Sequence, residues 1–195
     1  MKITLIRPPA YSTGLMGAQL VPFLGIAYIG AVARKAGHTV DIVDMCGEDI
    51  THTEIVRENF VAYGLPLAAL KTRLQPSDVF GVTSTFSQDW VFHEELINYI
   101  RGLYPKSVIV AGGEHITALP EYCLKNCSGL DICVVGEGEE TFVKLLEILG
   151  QGGQLNNVPG LVFRSPDGHI LSTPRAGRIK DIDKLPLPAW DLIRR

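Results

Sequence analysis

A chain of 195 residues, 46% of them apolar and 20% charged, can bury a full hydrophobic core. Its net charge of -3 and the lack of any Lys/Arg-rich run argue against a nucleic-acid partner. The opening "MKITLIRPPA" reaches prolines too soon for a secretory signal, and the best apolar stretch, "VPFLGIAYIGAVARKAG", meets Arg34 too early to span a bilayer. A cytoplasmic protein with no membrane partner is expected.

Five short Val- and Ile-rich runs punctuate the chain: "KITLIR", "HTVDIVD", "VFGVTS", "SVIVAGG" and "DICVVGEG". Between them lie segments of helical periodicity, "PFLGIAYIGAVARKAG" and "WVFHEELINYIRGLYP" among them, closed by Gly37 and by Gly102 and Pro105. Near-continuous apolar strands alternating with helices predict an α/β fold, a doubly wound five-stranded parallel sheet of the Rossmann-like or flavodoxin-like kind. The crossover from Thr51 to Gln75, interrupted by Pro66, predicts one helix plus a loop or a second short helix.

From about Gln151 the character changes. "GQGGQLNNVPG" reads as a linker, and Ser165-Pro166-Asp167-Gly168 between two apolar runs predicts a hairpin. Pro186 and Pro188 keep the following tail extended. The expected organisation is an α/β domain over 1–150 and a hairpin with linker over 151–195, leading into a further domain.

Cys123 and Cys127 are spaced C-x3-C and Cys133 follows, but Cys133 falls inside the apolar run "DICVVG". The spacing does not suit an iron–sulfur or zinc site, so the four cysteines are expected to be buried free thiols, with no metal ligands.

In an open doubly wound sheet a ligand sits beyond the carboxyl ends of the strands. The turns there are "RPPAYSTGLMGAQLVP", "DMCGED", "TSTFSQD", "GGEHITALP" and "GEGEET", with only Arg7 near the edge as a cation. Pro8-Pro9 stands where a dinucleotide site needs its first glycines, and Gly136-x-Gly138 lies among carboxylates. The third strand ends Gly81-Val82-Thr83-Ser84-Thr85, without the aspartate of a phosphoacceptor domain. What remains is a rim of hydroxyls (Thr83, Ser84, Thr85, Ser87) beside side-chain-free backbone at Gly112-Gly113 and Gly136-x-Gly138. Such a rim predicts a deep slot for a long, mostly uncharged ligand tail. Glu139 and Glu140 suit the first turn of a helix, and Glu137 serves either that turn, the ligand or a neighbouring domain. His115 lies at the ligand end, where it either packs or binds; His38 is at the opposite end, and His52, His93 and His169 read as surface or local packing.

Together these features resemble the cobalamin-binding domain found at the N-terminus of many radical S-adenosylmethionine enzymes. The match rests on "IRPP", "PFLGIAYIGAVARKAGHTVDIVD", "VFGVTSTF", "VIVAGGEH", "VVGEGEETF" and the connector-like "VPGLVFR…GHIL…IKDIDKLPLPAWDLI". The resemblance implies that Thr83-x-Thr85 stands in an altered S-x-L position and Gly112-Gly113 in the G-G position that hold the dimethylbenzimidazole tail. It implies a cofactor site drawn from Pro9, Tyr11, Thr83, Ser84, Thr85, Gly112, Gly113, Glu114, His115, Gly136, Glu137 and Gly138. The D-x-H-x-x-G pattern is missing: no histidine precedes His38. Cobalamin is therefore expected with its base displaced and no histidine ligand, with Tyr11, Met16 and Gln19 under the corrin. The C-x3-C-x2-C motif is also absent, so the fragment alone is expected not to be catalytic. The resemblance places a radical S-adenosylmethionine barrel, its 4Fe-4S cluster and S-adenosylmethionine in the same polypeptide, with methyltransferase or cyclase activity. The rival expectation is an interaction or lid domain that has kept the fold without the cofactor.

Overall fold

The computed structural model describes residues 1–13, 23–57 and 59–194. In chain order its strands and helices are β1 (Lys2–Arg7), β2 (Ala10–Thr13), α1 (Leu24–Lys35), β3 (Thr39–Asp44), α2 (Met45–Glu48), β4 (Thr53–Arg57) and β5 (Phe60–Tyr63). There follow α3 (Leu70–Arg73), β6 (Val79–Thr83), α4 (Trp90–Leu103), β7 (Val108–Gly112), α5 (Glu114–Ala118), α6 (Pro120–Asn126), β8 (Ile132–Val134), α7 (Gly138–Gln151), β9 (Leu161–Arg164) and β10 (Ile170–Ser172).

The five apolar runs are all strands, and they lie parallel in the order β3-β1-β6-β7-β8. Strand order reverses at β1, where chain growth passes from β3 on one side to β6 on the other. Alternation along each strand feeds two separate cores. Ile6, Phe80 and Ile109 meet Leu96, Ile97 and Ile100 of α4 on one face. Ile3, Val79 and Val110 meet Ile26 of α1 and Phe142 and Leu145 of α7 on the other.

The second crossover differs from expectation. In place of a first helix it holds the hairpin β4–β5, which pairs antiparallel with β2 in a separate three-stranded sheet, and only a 3-10 turn and the four-residue α3 follow. "TEIVR" and "FVAY" are β-branched and aromatic, and β2 supplies a partner edge, so pairing outweighs the weak helical period of this segment.

The C-terminal hairpin does form, and it extends the sheet: β9 runs antiparallel to β8, and β10 to β9. Beyond it the tail is a strap, extended except for 3-10 turns at Ile182–Lys184 and Trp190–Leu192. It is pinned by Gly160 N–H to the Pro174 carbonyl (2.8 Å), Ala189 N–H to the Ala27 carbonyl (3.0 Å) and a two-bond Arg34–Asp191 ion pair.

The carboxyl edge of the sheet is tied together by a buried pair. Arg7 and Asp44 are register partners at the ends of β1 and β3, and the Arg7 guanidinium donates to both Asp44 oxygens at 3.2 and 3.1 Å. Asp44 also accepts from Gly47 N–H at 2.9 Å, starting α2, and Arg7 lies 4.8 Å from the centre of the Phe23 ring. Arg7→Met leaves Asp44 buried without its cation and is expected to lower stability by about 3–5 kcal/mol. Arg7→Met/Asp44→Asn, which keeps the cap, should recover much of that loss in a urea titration.

Candidate functional site

Where the strands end, the α1/α7 face of the sheet is not filled. A cleft of about 590 Å³ opens there, floored by β1, β6, β7 and β8 and walled by the first turns of α1 and α7. Pleating turns Gly81 and Thr83 of β6 and Gly112 of β7 to this face, while Gly25 and Gly138 lie in the first turns of the two helices. Large side chains would normally close a helix–sheet interface of this kind. Five small positions at one end of it leave a slot.

The glycines do different work. A Cβ on Gly25 meets nothing within 4 Å, and one on Gly112 meets nothing closer than the Val134 carbonyl at 3.9 Å, so both face open cleft. At Gly81 a Cβ comes within 2.7 Å of Leu5 Cδ2, and at Gly138 within 3.1 Å of Ile29 Cδ1. Gly113 is different in kind: its φ is +117°, and a Cβ there sits 2.4 Å from the Ser84 carbonyl oxygen. Its missing side chain is required by the backbone turn between β7 and α5 and is not spare ligand space.

Of the positions singled out in the sequence, Thr83, Gly112, Gly113, Glu114, Gly136, Glu137 and Gly138 line this cleft. Ser84 alternates to the other face, where its Oγ lies 2.9 Å from His93 Nδ1. His115 is buried beside it, with Nδ1 2.8 Å from Ser87 Oγ and its ring 5.0 Å from that of Trp90. Thr85 lies outside the cleft lining. Pro9 and Tyr11 line a second cleft of about 260 Å³ beneath the three-stranded sheet, with Tyr11 stacked on Phe92 at 4.3 Å. Met16 and Gln19 lie outside the described residues. The hydroxyl-rich rim is thus mostly turned away from the slot, and Thr83 alone of that run faces it.

The carboxylates have separate fates. Glu137 Oε2 accepts from the strap's Ile179 N–H at 2.6 Å. Glu140 forms an i,i+4 pair with Lys144 on the exposed side of α7. Glu139 lines the cleft, and its Oε2 is buried without a hydrogen-bond partner. Four residues of the strap, Arg175 to Arg178, complete the lining, and neither they nor Gly25 and Gly81 were singled out in the sequence. Gly81 and Gly25 carried a legible signal, small residues on the face where an apolar one is due. The strap arginines carried none, because the chain returns to the cleft from a distant segment.

All four cysteines are buried free thiols, and no cluster of potential metal ligands occurs among the described residues. Burial raises the Cys123, Cys127 and Cys133 thiols well above the ordinary range. No described helix is long and apolar enough to cross a membrane.

A family model for the B12 binding domain matches residues 17–146. The chain belongs to the B12-binding domain family. It is 30% identical to an uncharacterized methyltransferase of Pyrococcus horikoshii over 99% of its own length and 39% of that protein's. It is 28% identical to the anaerobic magnesium-protoporphyrin IX monomethyl ester cyclase of Rubrivivax gelatinosus, over 99% of the chain and 33% of the relative. Its fold matches the cobalamin-dependent S-adenosylmethionine radical enzyme OxsB, solved with aqua-cobalamin and S-adenosylmethionine bound, at a TM-score of 0.69 and 19% identity over 98% of this chain and 24% of that one. The B12-binding domain chain therefore spans well under half the length of the relatives it matches.

On the face of this B12-binding domain away from the cleft, a buried polar cluster sets its acid response. Burial, with the nearby His115, pushes the His93 imidazole down to about 3, and burial lowers His115 as well. Burial raises the Asp89 carboxyl to about 6. As pH falls below about 6.5 the unfolded chain takes up a proton that folded His93 refuses, so its contribution to stability is lost down to about pH 3, and His115 acts in the same direction. Asp89 acts oppositely, since between the ordinary carboxylate range and about pH 6 the folded chain holds the extra proton. Over this range His93 and Asp89 oppose one another, so removing either exposes the other. In Asp89→Asn the urea midpoint is expected to fall more steeply than in wild type from pH 6.5 to 4.5, at up to about 1.4 kcal/mol per pH unit for an unopposed proton. His93→Gln should be weaker at neutral pH and lose less on acidification.

Proposed function

We propose that this chain binds cobalamin, with the nucleotide tail in the cleft between the sheet and α1/α7, and presents the corrin at the carboxyl edge of the sheet. The observation that carries the reading is the cleft itself: a slot opened by small residues at Gly25, Gly81, Thr83, Gly112 and Gly138, placed at the end of the sheet where strand order reverses. A dimethylbenzimidazole base is flat and apolar and suits a floor with few side chains. The buried, partnerless Glu139 Oε2 supplies an acceptor for a hydroxyl or amide of the ligand.

The base would sit away from cobalt, because the tail that carries it lies in the cleft. The chain has no histidine before His38, and His38 lies at the opposite edge of the sheet, its Nδ1 3.3 Å from the Met1 nitrogen. His115 is committed to Ser87 and packed on Trp90. No histidine of the β1 loop is therefore on hand as a lower axial ligand. When bound, cobalamin supplies a cobalt that can accept and give up a methyl group. The protein's part is to hold the tail, exclude water from it and leave the corrin face open.

The relatives' names support a methyltransferase or cyclase as the parent, with residues 1–150 as the cofactor-holding part. Residues 151–195 would be the sheet extension and connector to a radical S-adenosylmethionine domain of the same polypeptide, which would carry the 4Fe-4S cluster.

Mixing the chain with hydroxocobalamin and desalting should leave a coloured protein with a corrinoid absorption spectrum. Gly112→Val and Gly25→Leu push side chains into free cleft, so uptake should fall at least tenfold while far-ultraviolet dichroism and melting temperature stay near native. Gly113→Val is the contrasting control: strained φ and a clash with the Ser84 carbonyl should remove roughly 2 kcal/mol or more of stability. Wild-type protein that stays colourless, or full uptake by Gly112→Val, contradicts the reading; the former leaves an interaction or lid domain.

A further inference from the structure

The cleft has carboxylates on its α5 and α7 sides and cations on its strap side. Glu114, Glu137 and Glu139 line it from the turns after β7 and β8 and from α7. Arg175 and Arg178 line it from the strap. The six arginines upstream each have an acceptor: Arg7 and Arg34 pair with Asp44 and Asp191, Arg57 with Glu95, Arg73 with Asp41 and Glu48, Arg101 with Asp131, and Arg164 with the Leu124 carbonyl. Arg175 and Arg178 have no hydrogen-bond or ion-pair partner among the described residues.

Their backbone is nevertheless fixed. The strap is bonded on either side of them, at Pro174 to Gly160 N–H and at Ile179 to Glu137. Between these anchors Ala176 packs so closely on Gly160 that a Cβ there would lie 3.1 Å from the Ala176 Cβ. Two guanidinium groups with free donor sets are thus carried by a bracketed piece of chain into the rim of a cleft whose other charged lining residues are all acids.

We infer that Arg175 and Arg178 form a subsite for a single phosphodiester, the one that joins the nucleotide tail of the corrinoid to its ring. Guanidinium donors match the paired oxygens of a phosphodiester in geometry and charge. The three carboxylates set the limit on charge: a di- or triphosphate would face more repulsion than two arginines offset, whereas one negative charge on a bulky neutral body is accommodated. The strap then does two jobs. It closes the cleft over the tail, and it places the cation that the strand-end turns lack, since Arg7 is neutralised by Asp44. This assignment rests on the cobalamin reading.

The test compares two corrinoids on the wild-type chain and on Arg175→Gln/Arg178→Gln, a change at exposed positions that leaves the anchors intact. Absorbance titrations use hydroxocobalamin and cobinamide, the latter lacking phosphate, ribose and benzimidazole. The double variant should bind hydroxocobalamin roughly tenfold more weakly and with a flatter dependence on salt, while its cobinamide affinity equals that of wild type. Arg175→Lys/Arg178→Lys should restore the salt dependence. Unchanged hydroxocobalamin affinity and salt slope in the Gln variant, or an equal loss with both corrinoids, overturns the subsite and leaves the cobalamin reading standing. Wild-type protein that takes up neither corrinoid overturns both. Should cobinamide bind too weakly to titrate, the salt slope for hydroxocobalamin decides.

Discussion

A parallel sheet buried on both faces needs side chains from its helices to close each interface, and on the α1/α7 face of this one they run out before the strands do. Toward the amino ends Ile3, Val79, Ile132, Ala33 and Leu145 fill the layer. Toward the carboxyl ends Gly81, Thr83 and Gly112 stand among the facing residues, beneath helices whose first turns carry Gly25 and Gly138. The opposite face stays filled to its edge by Trp90, Ile116 and the Ser84–His93 and Ser87–His115 bonds. The slot is thus a local omission in one of two otherwise complete cores. Its depth depends on pleating that sends each glycine to the same side.

Holding a void open at the end of a sheet requires that the surrounding frame not collapse into it. The buried Arg7–Asp44 pair ties β1 to β3 at that edge, and the positive-φ turn at Gly113 swings the chain from β7 into α5 without blocking the rim. On the open side the tail crosses the mouth of the cleft after adding β9 and β10 to the sheet. Sheet extension and strap are one continuous device: β9 carries the chain past the end of β8, and Gly160 and Glu137 fasten the strap at Pro174 and Ile179.

The parallel sheet and a cleft at its carboxyl edge were legible in the sequence, because unbroken Val/Ile runs and the reversal of strand order are local and topological facts. Gly112, Gly136 and Gly138 were legible for the same reason. Ser84, Thr85 and His115 were harder, since a strand end followed by a tight turn does not reveal in sequence which residue takes which face. The hairpin β4–β5 was missed because its stability comes from pairing with β2, which lies about forty residues earlier. Arg175 and Arg178 were illegible: their place in the cleft lining rests on a return of the chain that only tertiary structure displays.

If the omission of side chains is the site, the tail of a bound corrinoid must occupy it. Diffraction from crystals of the chain grown with hydroxocobalamin measures this directly. Density for the benzimidazole is expected between Gly25 and the Gly81–Gly112 floor, with the base removed from cobalt. A corrinoid that binds with its base still on cobalt, leaving that space to water or to the protein's own side chains, would contradict it.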